Sequence, residues 1–363
     1  MQWLLPYLLI AADPTPLPPP PAAIAPFFAP PKEFANDLGP YRSPMTFADG
    51  STAKTPADWT RRRQEILGTW HGFMGAWPPV LDRPKVDVLD TERRDGLTQH
   101  KLRVEVAAGV TTDDALLLVP DGRGPFPAVV VVFYDAATGV GRGTRGPLRD
   151  FALQLARRGF VALSLGRDPF TYLPTKETLT VQPLSFRAYE AANCYHVLAN
   201  RPDVDASRIG VVGHSYGGKW AMFASCLYDR FACGAWSDGG VVFDESRPNV
   251  NYWEPWYLGF ERGRERKRGV IAADNPRMGP YARMVADGRD LHELHALMAP
   301  RPFLVSGGSE DQPNRWKALN HAIAVNRLLG ATNRVAMTNR DGHNPTEESN
   351  AQMYTFLEWA LRR

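Results

Sequence analysis

Short apolar runs alternate with segments of helical periodicity through the second two thirds of the chain. Continuous apolar, β-branched runs are typical of buried parallel strands. Such runs lie at 128–133, 160–165, 209–212, 231–236, 302–305 and 335–337. Segments with helical spacing or helix-compatible composition lie between or after them, at 147–158, 185–200, 220–228, 291–298, 314–329 and 346–361. The alternation predicts an α/β protein with a doubly wound, mostly parallel sheet.

Two further strands and a helix are predicted before this region. Residues 101–106 alternate between apolar and polar side chains, as a half-exposed strand should. Residues 115–119 form a second apolar run, which Pro120-Asp121-Gly122 ends. Residues 56–75 begin with proline and an acid and predict a helix.

Residues 239–290 interrupt the alternation and contain a dense aromatic group at 252–257. Two interpretations fit a long aperiodic segment between a strand and a helix. It is either an inserted, aromatic-rich lid or substrate wall over the sheet, or a hydrophobic cluster that holds a long loop down.

The N-terminal region has a different composition from the rest. Residues 3–12 are apolar, and a proline-rich run follows at 14–31. We therefore divide the chain into residues 1–40, a short signal sequence and a linker, and residues 41–363, the folded domain. This predicts a secreted or periplasmic protein, although the first residues carry no Lys or Arg. No apolar segment is long enough to span a bilayer.

Charge and cysteine content exclude several classes of partner. The 363 residues carry a formal net charge of +3, too small to indicate binding to nucleic acid or to an acidic membrane. The three cysteines, Cys194, Cys226 and Cys233, form no Cys/His cluster with metal-ligand spacing. The sequence thus indicates neither a metal nor another cofactor.

The main chemical signal is Gly213-x-Ser215-x-Gly217, between a predicted strand and a predicted helix. A serine on such a sharp turn needs strained backbone angles, and glycines two residues away remove colliding β-carbons. This is the pattern of the nucleophile elbow of α/β-hydrolases. The turn would expose the Ser215 hydroxyl and direct the Tyr216 N–H at an oxyanion.

A serine hydroxyl needs a base, and the base needs an acid that fixes its tautomer. In α/β-hydrolases the chain order is serine, acid, histidine. His343 follows the last predicted strand and is the candidate base. Asp311, after the strand before it, is the favoured acid, and Asp238, after the strand that follows the elbow helix, is the alternative. Glu310 is a neighbour that could substitute for Asp311.

Within this fold the chain resembles carbohydrate esterases of the glucuronoyl esterase family. Three segments carry the resemblance: the elbow with a lysine four residues after the serine, the segment 290–302, and Asp238-Gly239-Gly240 followed by Trp253. The resemblance implies that Lys219 binds sugar hydroxyls or a carboxylate and that Trp253 lines the substrate pocket. Hydrolases of this fold place a second oxyanion donor after the strand at 128–133, so we expect the N–H of Tyr134 or Asp135 to act there.

The sequence departs from that family directly after the nucleophile. The family usually has an arginine there, whereas this chain has Tyr216. A tyrosine offers a hydroxyl but no positive charge, so the departure puts specificity for glucuronate esters in doubt.

These observations predict a metal-free serine esterase that acts on carboxylic esters of small molecules or glycans. Two alternatives remain: a serine peptidase of the same fold, and a catalytically inactive binding module. The peptidase alternative shares the fold and the triad. The binding alternative requires only the fold.

Overall fold

A computed structural model describes residues 17–362 of the protein. The predicted signal sequence lies outside the described residues. Within them the strands are β1 Val86–Arg94, β2 Leu97–Ala107, β3 Val110–Val119, β4 Phe126–Phe133, β5 Val161–Gly166, β6 Val204–His214, β7 Cys233–Ser237, β8 Phe303–Gly307 and β9 Val335–Asn339. The helices are α1 Pro56–Met74, α2 Ala136–Gly139, α3 Phe151–Arg157, α4 Pro183–Ala199, α5 Tyr216–Leu227, α6 Gly279–Ala286, α7 His292–Ala296, α8 Trp316–Leu328 and α9 Glu347–Leu361.

All these strands join one nine-stranded sheet in the order β1-β2-β3-β5-β4-β6-β7-β8-β9. The pairs from β5 through β9 are parallel, and β1, β2 and β3 form an antiparallel extension. The predicted doubly wound, mostly parallel sheet is confirmed. The carboxyl ends of β4, β6, β7, β8 and β9 therefore meet at one edge of the sheet, where this class of fold places its ligands.

The central strands are buried on both faces, as their continuous apolar sequence predicts. On β4, Val130 and Val132 face the larger core cluster, while Val129 and Val131 face the smaller one. Helices α1, α4, α5, α7 and α8 contribute to the larger cluster and α3 and α9 to the smaller. A rigid, two-sided core thus supports the strand ends that carry the site.

The described part of the predicted linker, residues 17–40, lies along the folded domain. The Trp359 indole N–H donates to the Pro18 carbonyl at 3.0 Å, and the Phe28 ring lies 5.1 Å from that of Trp359. Further along, the Asn320 amide donates to the carbonyls of Phe34 and Asp37, each at 2.8 Å. This segment packs on α8 and α9 as a strap.

The aromatic insertion packs as part of the domain. Tyr252, Trp253 and Tyr257 are buried in the larger core cluster. This packing agrees with the second interpretation, a hydrophobic cluster that holds a long loop against the sheet. Within residues 17–362, no helix has both the length and the apolar character needed to cross a membrane.

Candidate active site

The nucleophile elbow joins β6 to α5 and holds Ser215 in a strained conformation. Ser215 has φ 58° and ψ −118°, in a region that L-residues rarely occupy. A β-carbon on Gly213 would lie 2.2 Å from the Gly217 carbonyl oxygen, and one on Gly217 would lie 2.0 Å from that of Val132. Both glycines are therefore required by close backbone contact, as the motif predicts.

The structure brings Ser215, His343 and Asp238 into one chain of hydrogen bonds. His343 Nε2 lies 2.8 Å from Ser215 Oγ, and His343 Nδ1 lies 2.7 Å from Asp238 Oδ2. Because a carboxylate only accepts, Nδ1 carries the proton when His343 is neutral. Nε2 is then free to accept the serine proton.

Asp238 follows β7 in a left-handed conformation, with φ 47°. Its second carboxylate oxygen, Oδ1, accepts the N–H groups of Glu310 at 3.0 Å and Asp311 at 2.9 Å. The residue is 1% exposed. These bonds fix the carboxylate and leave Oδ2 directed at the imidazole.

The preference for Asp311 as the acid in contact with His343 requires correction. Asp311 accepts the N–H groups of Gly240 at 2.8 Å and Val241 at 2.6 Å, and within residues 17–362 it makes no hydrogen bond to His343. Because β7 and β8 are neighbours, both acids lie at the same sheet edge. Burial, and then the nearby Asp238 carboxylate, raise the pKa of Asp311 to about 6.

The two residues that the resemblance assigns to substrate are both buried. Lys219 donates to the carbonyls of Gly239 and, at 3.1 Å, Asn249. Burial lowers its pKa to about 8, although the carboxylates around it act in the opposite direction. Trp253 is 0% exposed, and its indole N–H donates to the Gly269 carbonyl at 2.9 Å. In this conformation the polar atoms of both side chains are engaged by carbonyls of the protein itself.

The N–H groups predicted for the oxyanion hole are available. Ser215 donates its own N–H to the Ser237 carbonyl at 2.8 Å. The N–H groups of Tyr216, Tyr134 and Asp135 have no acceptor among residues 17–362. First-turn N–H groups of a helix lack intrahelical partners, which accounts for Tyr216. The Asp135 carboxylate caps α2 by accepting the Thr138 N–H at 2.7 Å.

Two residues without a predicted catalytic role support His343. The His214 ring lies 4.7 Å from the His343 ring, and its Nδ1 is 3.1 Å from Ser237 Oγ. Arg340 donates to the His343 carbonyl at 2.8 Å and to Ser237 Oγ at 3.2 Å. Arg340 precedes His343 by only three residues, but its sequence pattern gives no sign of this contact.

Three side chains at this site have the spacing of possible metal ligands. Ligand atoms of Asp238, Glu310 and His343 lie within 4.8 Å of one another. However, Ser215 and Asp238 already occupy the two nitrogens of His343. A metal held here by His343 would have to replace one of these hydrogen bonds.

Aromatic and basic side chains pair at two places, one of them next to the elbow. Tyr134 is half-buried directly after β4, and the Arg145 guanidinium lies 4.1 Å from its ring centre. The exposed Arg268 lies over the rings of Phe170 and Trp256, at 5.6 and 5.7 Å. A cavity of 770 Å³ lies elsewhere, between the end of α1 and α6, and its lining contains none of the triad residues.

No protein-family profile matches the chain. Among curated proteins, acyl-coenzyme A thioesterase 3 of Mus musculus is 32% identical over 229 residues, which cover 60% of this chain and 46% of that protein. Esterase EstD of Thermotoga maritima is 34% identical over 104 residues, which cover 28% of this chain and 24% of EstD. The chain thus spans half or less of the length of these relatives.

Among solved structures, a glucuronoyl esterase from Solibacter usitatus matches with a TM-score of 0.65 and 20% identity. The match covers 89% of this chain and 98% of that one. At this identity the likeness shows the fold. The protein therefore has the α/β-hydrolase fold, and its resemblance to glucuronoyl esterases, predicted from three short segments, is confirmed by this similarity of structure.

Proposed function

We propose that this protein is a serine esterase that hydrolyses carboxylic esters through an acyl-enzyme intermediate. The observation that carries the proposal is the unbroken chain Asp238–His343–Ser215, with contacts of 2.7 and 2.8 Å on a strained elbow. Strain at a single serine is typical of a nucleophile held for reaction. The esterases and the thioesterase among the relatives support the same reaction class.

In the proposed reaction Ser215 Oγ attacks the ester carbonyl carbon while His343 Nε2 takes the hydroxyl proton. The carbonyl electron pair moves onto oxygen, where the free N–H groups of Tyr216 and of Tyr134 or Asp135 stabilise the charge. Collapse breaks the bond to the leaving alcohol, which receives the proton from His343. Water then repeats these steps on the acyl-enzyme and releases the acid.

In this proposal Asp238 is the triad acid. Its carboxylate accepts the hydrogen bond from His343 Nδ1–H and stabilises the imidazolium that forms during attack. Its buried carboxylate keeps its position through the N–H groups of Glu310 and Asp311. Asp311 has a structural part, because its two oxygens hold the backbone that follows Gly239.

A carbohydrate ester is the proposed substrate class, since the structural relatives include glucuronoyl esterases. Specificity for glucuronate esters, which the sequence puts in doubt, is not part of this proposal. The predicted substrate residues Lys219 and Trp253 are buried, and the residue after the nucleophile is Tyr216. As an alternative sugar-contacting surface we propose the partly exposed aromatic group formed by Phe170 and Trp256 around Arg268.

The test is labelling with a fluorophosphonate, followed by a panel of substrates. Wild type and S207A, which alters an exposed serine, should label equally, whereas S215A should not label. Turnover of p-nitrophenyl acetate and methyl glucuronate but not of dipeptide amides would support the esterase. Faster cleavage of the amides would favour the peptidase, and an intact protein that neither labels nor turns over would favour the binding module.

A further inference from the structure

The phenol of Tyr134 lies beside the nucleophile, although only its backbone was predicted to act there. β4 and β6 pair in parallel, with Val132 opposite Gly213. Two positions further along, Tyr134 therefore lies next to Ser215. The Gly217 α-carbon packs against the Val132 carbonyl. Consistently, the Tyr134 ring lies 5.0 Å from the Tyr216 ring. The register of the sheet thus places Tyr134 at Ser215.

The hydroxyl of Tyr134 interacts with the side chain of Ser215. Burial raises the pKa of this phenol, whereas a side-chain hydrogen bond with Ser215 acts to lower it. Ser215 is the side chain that acts on this phenol through a hydrogen bond. The phenol oxygen of Tyr134 is therefore close to the reacting serine.

The hydroxyl of Tyr216, the tyrosine that packs against Tyr134, does not lie at the site. Tyr216 is 2% exposed, and its hydroxyl interacts with the buried Arg187. The side chain of Tyr216 thus points into the core, and only its N–H faces the site. Where an arginine would otherwise follow the nucleophile, the chain offers no cation from that position.

Positive charge around Tyr134 partly offsets the effect of burial on the pKa of its phenol. Arg145 lies over the ring at 4.1 Å and is held there by a bond from its Nε to Asp135 Oδ2 at 3.1 Å. Arg149 and Arg268 act in the same direction. Burial has the largest effect and raises the pKa of the phenol above its ordinary value, so the phenol stays protonated at neutral pH.

We propose that the Tyr134 hydroxyl donates a hydrogen bond to the oxyanion of the tetrahedral intermediate, as a side-chain member of the oxyanion hole. No proton is transferred: the serine proton goes to His343, and the phenol only shares its own with the negative oxygen. The donation is strongest when the carbonyl oxygen carries full charge. Tyr134 therefore stabilises the transition state more than the bound ester. This inference rests on the proposed esterase function.

The test is Y134F, which keeps the ring and removes the hydroxyl. With p-nitrophenyl acetate we expect kcat to fall about 100-fold, the effect of losing one oxyanion donor, with KM changed less than about 3-fold. The affinity for phenylboronic acid, which forms a tetrahedral adduct with serine, should fall alongside kcat. Y257F, which removes a phenol buried in the same aromatic group, should retain the wild-type kcat.

A second variant covers the case in which Y134F fails to fold. R145M keeps the phenol and removes the guanidinium above it, and we expect kcat to fall about 3-fold, the size of one exposed cation–π contact. An unchanged kcat in folded Y134F, or a loss confined to KM, would overturn the inference while leaving the esterase intact. Wild type that neither hydrolyses esters nor labels at Ser215 would instead overturn the proposed function.

Discussion

A single carboxylate, that of Asp238, determines which nitrogen of His343 carries the proton. In D238N the amide can donate to Nδ1, so the tautomer with its proton on Nε2 becomes favoured and cannot accept from Ser215. We expect kcat for p-nitrophenyl acetate to fall about 10⁴-fold with little change in KM. Steady-state kinetics on protein of native circular dichroism would measure this.

The control for this prediction is D311N, which alters the neighbouring acid without touching the imidazole. The variant keeps the contact between Asp238 and His343, so we expect its kcat to stay within about 10-fold of wild type. Its melting temperature should fall, because one of two N–H groups loses its acceptor. A large loss of kcat in D311N together with a nearly normal D238N would contradict the proposed assignment.

Asp311 also gives the protein a pH-dependent stability of definite sign. Burial raises its folded pKa to about 6, above the value near 4 expected for an unfolded aspartate. Between these values the folded state binds the proton more tightly, so this contribution stabilises below about pH 4 and is lost as pH rises to 6. The unfolding free energy of wild type minus that of D311N should therefore decrease from pH 4 to pH 6 in urea titrations. A difference independent of pH would contradict the raised pKa.

At the scale of residues, the sequence predicts the nucleophile and base better than the acid. The motif Gly213-x-Ser215-x-Gly217 constrains the backbone locally. The loop that carries His343 is short, so it can place the imidazole only near the end of β9. Asp238 and Asp311 both end parallel strands at the same edge, and sequence spacing cannot separate them. Which of the two acids contacts His343 depends on the left-handed turn at Asp238. In the sequence, the two glycines that follow Asp238 indicate such a turn.

Helix α5 carries a buried lysine, Lys219, that binds the segment after β7, and its replacement tests a predicted substrate contact. Lys219 is 3% exposed, binds the carbonyls of Gly239 and Asn249, and lies near the buried acids Asp311, Glu310 and Asp238. K219M leaves these carboxylates without their cation, so we expect the unfolding free energy to fall by about 3–5 kcal/mol. Chemical denaturation would measure the loss.

The matched control is K176M, which removes a partly exposed lysine paired with the exposed Glu265 at 2.6 Å. An exposed pair contributes about 1 kcal/mol or less. If K219M instead folds with wild-type stability and raises KM for a sugar ester, then Lys219 contacts substrate after a conformational change. That outcome would favour the role implied by the family resemblance.

The elements themselves were predictable in proportion to their burial. The central strands β4 and β5 read as continuous apolar runs and appear within a few residues of their predicted bounds. Strand β1 was not predicted, because residues such as Val88 are exposed on an edge strand and no core face imposes a pattern. The helix predicted from residue 147 begins at Phe151, since Leu148 adopts a left-handed conformation with φ 62°.

At the scale of the whole molecule, buried histidines make the fold sensitive to acid. Burial lowers the pKa of seven of the eight histidines: His71, His100, His196, His214, His292, His295 and His321. Below about pH 6.5 the unfolded chain takes up protons that the folded protein excludes, so stability falls with pH. Asp290 and Asp311, with pKa values raised to about 7 and about 6, oppose this trend only in part.

Replacing His295 would measure how much one buried histidine contributes to this acid sensitivity. It is 0% exposed, neither ring nitrogen has a hydrogen-bond partner within residues 17–362, and its ring lies 5.4 Å from that of Trp236. H295L fills similar volume without a titratable group. We expect the variant to gain about 2 kcal/mol over wild type on going from pH 7 to pH 5, because only wild type must exclude that proton on folding. Urea titrations at pH 5, 6 and 7 would measure the difference, and a constant offset across the three values would show that His295 does not contribute to the acid sensitivity.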